Sequence, residues 1–402
     1  MRGLPDNERA LIDRIDQAAM LHQVERWAAV NSGTRNLAGV ARMATLLGDA
    51  FSPLPGTITL VEAEPVQAVG VDGSVATLEH GRHLHLAVRP QAPVQMLFTG
   101  HMDTVYPVDH PFQTLTTRDD GTINGPGTAD MKGGLAVMLA ALTAIEASPA
   151  AKQLGYEVVI NADEETGSLS SAGLLARAAA GKVAALTYEP ALADGTLAGA
   201  RGGTGNFSIL VRGRSAHAGR NPDDGRNAIV AAAALAVRLA DARGPGLAVN
   251  PARIDGGGPN NVVPDLAILR VNFRPAAAAA IARARAAVDE AVAAIATAHD
   301  VAITVHGGFN RPPKPIDAGA ERLFGLVADA GTDLGLSISW RETGGVCDGN
   351  NIAAAGVPVV DTMGVRGGAI HSPDEYMIVA SLAERAALSA LTISRIAAKG
   401  RP

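Results

Sequence analysis

The stretch from Val94 to Gly134 constrains this chain more than any other. It reads VQMLFTGHMDTVYP and, after a loop, NGPGTADMKGG. Val94 to Thr99 is a short apolar, β-prone run bounded by Pro93 and Gly100, the pattern of a buried strand in an α/β sheet. His101 and Asp103 stand just beyond the carboxyl end of that strand, where open α/β sheets place their ligands. Two residues apart in extended chain, they point the same way. The Asp103 carboxylate is therefore expected to hold one imidazole nitrogen of His101 while the other faces a metal. Asp130 arrives in a glycine-rich turn, which bends sharply enough to aim its carboxylate into the same space. An HxD pair alone reads as an ordinary polar loop; HxD together with GTADMKGG does not.

At 402 residues the chain is too long for one ordinary core, so two domains are expected. A hydrophobic fraction of 47% against 18% charged residues points to a compact protein with little disorder. Much of the apolar content is alanine, in runs such as Ala231 to Ala234 and Ala276 to Ala280, and alanine favours helix. No stretch reads as long and apolar enough to span a bilayer, so no membrane partner is expected. The start, MRGLPDNERALIDRID, is charged, lacks an apolar signal-peptide core and reads as an amphipathic surface helix, which implies a cytoplasmic location. The single cysteine, Cys347, excludes an internal disulfide and a four-cysteine zinc site. A net charge of −6 with no basic run argues against nucleic acid as a partner.

Helical periodicity covers residues 8 to 31 and about Leu37 to Leu47, and strands are expected at Thr57 to Leu60, Val75 to Leu78 and His83 to Val88. His83 and His85 read as a surface pair on one strand rather than a metal site. Leu135 to Ile145 is an apolar helix. Tyr156 to Ile160 is the next buried strand and ends in NADEETGS, which sets Glu164 and Glu165 at a strand's carboxyl end. Beside a metal, one such acid binds the ion while the other takes a proton from water. The structural alternative is the charged first turn of the helix expected at Ser168 to Ala179. Val183 to Tyr188 is a further strand, closing on Glu189.

Near Gly199 the rhythm changes. An alternating strand at Thr204 to Val211, a helix from about Arg226 to Ala242, a strand at Ala267 to Phe273, a helix to about His299 and a strand at Val301 to Val305 form an α+β unit inserted into the first domain. Its sheet is antiparallel, with two helices on one face. The prolines of FNRPPKP, residues 309 to 315, read as the return linker. The remainder is α/β again: GVCDGNNIA turns into a helix, Val357 to Asp361 is a strand, and GGAIHSPDEY brings His371 before a last helix from about Asp374 to Ala397. The expected fold is thus α/β in two domains: residues 1–198 and 310–402 as an α/β/α unit with a central, mostly parallel sheet, and 199–309 as the insertion.

Collected, the acids and histidines at strand ends are His101, Asp130, Glu165, Glu189 and His371. Five oxygen and nitrogen ligands suit two divalent ions of the zinc type if one carboxylate bridges, each ion then having three protein ligands and room for a shared water. Asp130 is the natural bridge because its turn lies between the others. Two ions roughly 3.5–4 Å apart activate a water and polarise a carbonyl, as in co-catalytic hydrolysis.

GHMDTV, GPGTADMKGG, NADEETGS, TYEP, SAHAG, NNVVP with VNFRP, and GGAIHSPDEY occur in this order. Together they resemble, over nearly the whole chain, the zinc-dependent metallopeptidase family of glutamate carboxypeptidase, aminoacylase, acetylornithine deacetylase, succinyl-diaminopimelate desuccinylase and the di- and tripeptidases. The resemblance implies one zinc on Asp130, Glu165 and His371 and a second on Asp130, His101 and Glu189, with Co2+ or Mn2+ as substitutes. It implies Glu164 as general base, Asp103 as orienting partner of His101, and a cis peptide at Asp130-Met131. The inserted block, about Gly199 to Phe309, resembles the family's lid and dimerisation domain, so a homodimer is expected. His217 then reaches the partner's site to stabilise the oxyanion, while Asn261 and Arg274 hold the substrate's carbonyl and terminal carboxylate. A lid salt bridge for Arg274 and a turn role for His217 are the plain alternatives.

Glu189 and the wording around GGVCDGNNIAAAGVPVVDTMG look most like the glutamate carboxypeptidase branch, which implies release of a C-terminal amino acid from a peptide or N-acyl amino acid. Cys347 departs from that branch, where Ser or Thr is common, and Arg341 or Arg366 is placed to read a substrate side chain. A cysteine nucleophile at Cys347 is set aside because the nearby histidines are better placed as ligands. Three rivals remain: a biosynthetic deacylase or desuccinylase, a non-catalytic metal-binding module, and nucleotide binding through GPGTADMKGG. Glu164, which binds no metal in this scheme, argues against the second. The third lacks the Gly-Lys-Ser/Thr ending that holds phosphates.

Overall fold

In the computed structural model, which describes residues 3–402, Val94–His101 lies inside a six-stranded sheet. The strand order is Thr57–Val61, His83–Val88, Leu154–Asn161, Val94–His101, Ala184–Thr187, Val359–Val360. The last four run parallel, and the first two join by antiparallel pairing. All of Val94–His101 except Gln95 is buried, as the unbroken apolar run of a sheet covered on both faces requires. Helices Gln17–Ala28, Leu37–Phe51, Gly133–Glu146, Ala318–Asp333 and Ser381–Lys399 cover one face, with Trp27, Phe51, Leu135 and Phe324 in the core. Helices Ala172–Ala179 and Asp348–Ala354 cover the other, against Leu97, Val159 and Ala185. At Gly134 a Cβ would fall 1.9 Å from the Tyr188 carbonyl oxygen, so only glycine lets this helix lie against the strand end that leads to Glu189.

The second sheet is antiparallel, in the order Leu247–Gly256, Leu266–Pro275, Thr204–Arg212, Ala302–Arg311. Helices Ala228–Ala240 and Ala278–His299 share one face with Phe207, Leu235, Phe273 and Ile295. The hairpin Val66–Val69 and Val75–Leu78 meets the opposite face, where Val69 packs on Leu210 and Ile268. The molecule is therefore α/β with a mostly parallel central sheet and a separate antiparallel α+β sheet, as the sequence indicates.

Several local expectations are corrected. The first helical run is two helices, Asp6–Ile12 and Gln17–Ala28, separated where the Asp16 carboxylate caps the second by accepting the N–H of Ala18 and Ala19. The first two residues of the expected surface helix lie outside the described residues. Thr128–Glu146, 19 residues, is long and apolar enough by composition to cross a membrane, against the sequence reading. Its apolar window is 83% buried in the core, the place of a helix that is apolar all round. The strand expected to end at Val305 continues to Arg311, because Pro312 is the first residue unable to extend it. A short strand, Tyr376–Ile378, precedes the last helix, Ser381–Lys399. His83 and His85 are not a surface pair. His83 is fully buried and accepts the N–H of Ala162, and His85 pairs with Glu157 at 2.7 Å, so both serve packing.

Candidate metal centre

Three adjacent parallel strands end side by side, and each passes the chain to an acid or a histidine. His101 closes Val94–His101, Glu164 and Glu165 form one helical turn after Leu154–Asn161, and Glu189 follows Ala184–Thr187. Asp130 lies in the turn Thr128–Lys132, entered through Gly127 at φ 72°, and the Asp130-Met131 peptide is cis. A small sheet pairs Thr122–Asn124 with Tyr376–Ile378 and the latter with Arg366–Gly368. It thereby suspends the Asp130 turn and the His371 loop over the strand ends. His371 has φ 62°, a left-handed conformation that a side chain rarely adopts and that gathers at functional sites.

All five residues expected as ligands meet here. His101 Nε2 lies 3.1 Å from Asp130 Oδ1 and 3.7 Å from Glu189 Oε2. His371 Nε2 lies 3.2 Å from Asp130 Oδ2 and 3.3 Å from Glu165 Oε2. Asp130 thus presents one oxygen to each half of the cluster. Burial, then the charge of Asp130, pushes Glu165 up to about 7, and burial pushes Glu189 up as well. Burial opposes a charge on His101, but Asp103, Asp130 and Glu189 together outweigh it and raise His101 well above its ordinary range. Asp130 and Glu165 bring His371 up to about 10. Glu165 Oε1 is buried with no hydrogen-bond partner. Crowded carboxylates, one with an unused buried oxygen, beside two imidazoles form a donor set short of positive charge. The residues fit divalent ions that accept oxygen and nitrogen ligands.

Asp103 differs in detail from expectation. His101 Nδ1 is nearer the Asp103 backbone oxygen, at 3.0 Å, than its carboxylate, at 3.5 Å. The carboxylate is turned instead to Thr34 Oγ1 at 2.7 Å and to the N–H groups of Glu164 and Glu165 at 3.2 and 3.3 Å. The nearer contact of Asp103 with His101 is thus through its main-chain oxygen, while its carboxylate accepts from the two glutamates' N–H groups.

A carboxylate oxygen of Glu164 is within 4.8 Å of ligand atoms of His101 and Glu189. Burial pushes Glu164 well above the ordinary carboxyl range. Two residues absent from the expected site hold this region. Arg311 Nη2 donates to Glu164 Oε1 at 2.7 Å, and the buried Glu375 carboxylate accepts the N–H groups of Ala129 and Asp130. Glu375 stood within the HSPDEY motif, and Arg311 within the expected linker.

A cavity of about 630 Å³ opens from the cluster towards Leu192, Val346, Cys347, Ile370 and Arg341. Burial pushes the Cys347 thiol well above its ordinary range, which disfavours a thiolate nucleophile. Arg201, also in the wall, is bound to Asp361 at 2.7 and 3.1 Å. Arg366 is outside the cavity and bound to Glu384 at 3.1 Å. Arg341 has no ion-pair partner among the described residues.

His217, Asn261 and Arg274 are exposed, and none of them lines the cavity at the cluster. The main chain joins the first two, the Ala218 N–H donating to Asn261 O at 2.9 Å. Arg274 Nε donates to Asn272 at 2.9 Å and lines a neighbouring cavity with Gly202, Gly203 and Thr343.

The sequence profile of peptidase family M20/M25/M40 matches residues 97–395. Carboxypeptidase G2 of Pseudomonas sp. (strain RS-16) is 27% identical over 392 residues, covering 95% of this chain and 90% of that protein. A succinyl-diaminopimelate desuccinylase of Herminiimonas arsenicoxydans is 29% identical over 308 residues, covering 71% and 79%. The crystal structure of aminopeptidase PepT from Bacillus cereus ATCC 10987 superposes with a TM-score of 0.70 at 25% identity, covering 96% of this chain and 100% of that one. Profile, relatives and fold agree: the chain belongs to peptidase family M20/M25/M40 and is a metal-dependent hydrolase.

Proposed function

We propose that this hydrolase releases a carboxylate-bearing amino acid from a peptide or N-acyl amino acid, using two zinc ions on His101, Asp130, Glu165, Glu189 and His371. Divalent ions held there supply, when bound, a water nucleophile at neutral pH and Lewis-acid polarisation of the scissile carbonyl. The observation that carries the reading is Glu164, a buried carboxylate set beside the five yet tied to Arg311 rather than to His101 or His371. Glu164 takes a proton from the attacking water and passes it to the leaving nitrogen.

The remaining roles belong to residues 199–309, read as a lid and dimerisation domain. Arg274 grips the terminal carboxylate with parallel hydrogen bonds and Asn261 holds the carbonyl. His217 serves the partner's site. Its Nδ1 accepts the N–H groups of Gly219 and Arg220, both at 3.1 Å. This leaves Nε2–H as the donor for an oxyanion. Dimerisation is supported by the open outer edge of Leu247–Gly256 and by exposed Val230 and Val237 on the adjoining helix.

A second reading, removal of an acidic acyl group, is favoured by unpaired Arg341 beyond the apolar wall of Leu192 and Ile370. Amino-acid release from dipeptides and from N-acetyl, N-succinyl and N-aroyl amino acids by zinc-loaded protein tests both. Release abolished by chelation and by Glu164→Gln supports the reaction, and the preferred conjugate separates the two substrates. Failure to cleave any conjugate with two ions bound, or high activity in Glu164→Gln, refutes it.

A further inference from the structure

Arg311 is buried, and one nitrogen of its guanidinium, Nη2, carries its contacts. That nitrogen lies 2.7 Å from Glu164 Oε1, 3.0 Å from the Glu164 backbone oxygen and 2.8 Å from Ser168 Oγ. Asp348 Oδ1 is farther away, at 3.5 Å. Asp348 is already served by Asn161 Nδ2 at 2.7 Å and by the Ser168 hydroxyl. Glu164, not Asp348, is therefore the principal partner of Arg311, gripped at both its main chain and its carboxylate.

Such a two-point grip removes rotamer freedom from a side chain with an obvious competing position. Glu164 lies within 4.8 Å of ligand atoms of both His101 and Glu189, a spacing at which a free carboxylate would join the metal set. We propose that Arg311 is a positioning residue that holds Glu164 out of the metal coordination sphere and aims its carboxylate for proton transfer. This rests on the reading of Glu164 as the proton carrier.

The test uses full-length, metal-loaded Arg311→Met and Arg311→Lys, each alone and combined with Glu164→Gln. Arg311→Met should lower kcat about 100-fold, the scale of a misplaced catalytic group, while KM changes less than about threefold and metal content is retained. In the Glu164→Gln background the same substitution should change kcat less than about twofold, since the group it positions is gone. Arg311→Lys, which keeps the charge without the planar fork, should fall between wild type and Arg311→Met. Visible absorption of the cobalt-loaded proteins gives a readout independent of turnover. Arg311→Met should show the weaker bands of a higher coordination number, reversed by adding Glu164→Gln. If Arg311→Met proves unstable, Arg311→Met with Asp348→Asn lowers the uncompensated buried negative charge around Glu164 without altering Glu164 itself and is assayed instead. Equal kcat losses in both backgrounds, or an unchanged cobalt spectrum in Arg311→Met, would overturn the proposal. A fully active Glu164→Gln enzyme would instead refute the proton-carrier role itself.

Discussion

The carboxylate of Glu375 accepts the backbone N–H of Asp130 at 3.0 Å. The same oxygen takes the Ala129 N–H at 3.0 Å, and the other takes the Gly127 N–H at 3.2 Å and the Tyr106 hydroxyl at 2.8 Å. A single buried acid from the carboxyl-terminal part of the chain thus shapes the turn that carries Asp130. Support of this kind around a metal ligand contributes to affinity without touching the ion.

Glu375→Gln replaces one acceptor oxygen by a donor facing N–H groups. Metal affinity should fall about 10- to 100-fold, read by competition with a chromophoric chelator. An unchanged affinity would mean that the glycine-rich turn holds its own shape.

Because the clustered acids repel one another, ions should stabilise the fold as well as serve the reaction. Free metal at about 100 times its dissociation constant should add about 2.7 kcal/mol, seen as a chelator-sensitive rise in melting temperature. Asp130→Asn should lose most of that response. A melting temperature indifferent to chelation in wild type would contradict the assignment of this cluster as the metal centre.

Arg341 is the arginine in the cavity wall that has no carboxylate partner among the described residues, whereas Arg201 is bound to Asp361. In the parallel pairing of Leu197–Arg201 with Trp340–Thr343 it stands opposite Ala198, which also lines the cavity. Arg341→Ala should lower kcat/KM about tenfold for conjugates bearing a second carboxylate, such as N-succinyl amino acids, and leave N-butyryl analogues within about twofold. Equal effects on both would remove Arg341 from substrate selection.

Asp361 is fully buried between Arg201 and Lys314, at 2.7 and 3.2 Å. Burial would raise its pKa, but the two cations outweigh burial and hold it below the ordinary carboxyl value. With the folded pKa depressed, its contribution is fully present above the unfolded value, about 3.9, and is lost as pH falls through the folded value. Urea melts from pH 3 to 7 should show this acid slope in wild type and a flatter one in Asp361→Asn. The variant should also be less stable at pH 7 by about 3–5 kcal/mol, because two buried cations lose their partner.

What the sequence disclosed was local. Val94–His101 could be read because an apolar run ending in His and Asp is a strand signal and a ligand signal at once. The five expected ligands each follow a legible strand or a glycine-rich turn. Leu247–Gly256 escaped notice because Pro251 argues against a strand, yet this strand is at the sheet's edge, where a missing N–H is tolerated. Arg311 and Glu375 escaped for another reason. Their partners lie 147 and 245 residues away along the chain, and no local spacing announces such contacts.

The chain passes between the two large sheets at two places that touch. Thr204 pairs with Arg311, Arg201 bridges to Lys314, and the side-chain amide of Asn350 donates to both Gly202 O and Pro312 O. A door on two adjoining pins swings about one line. A swing of the antiparallel sheet about the line through these crossings would carry with it the hairpin whose Val69 packs on Leu210 and Ile268. Arg311 sits on that line, where displacement is least. The outer strand could travel a long way while the guanidinium beside Glu164 scarcely moves, so opening the molecule and keeping its chemistry in register need not compete.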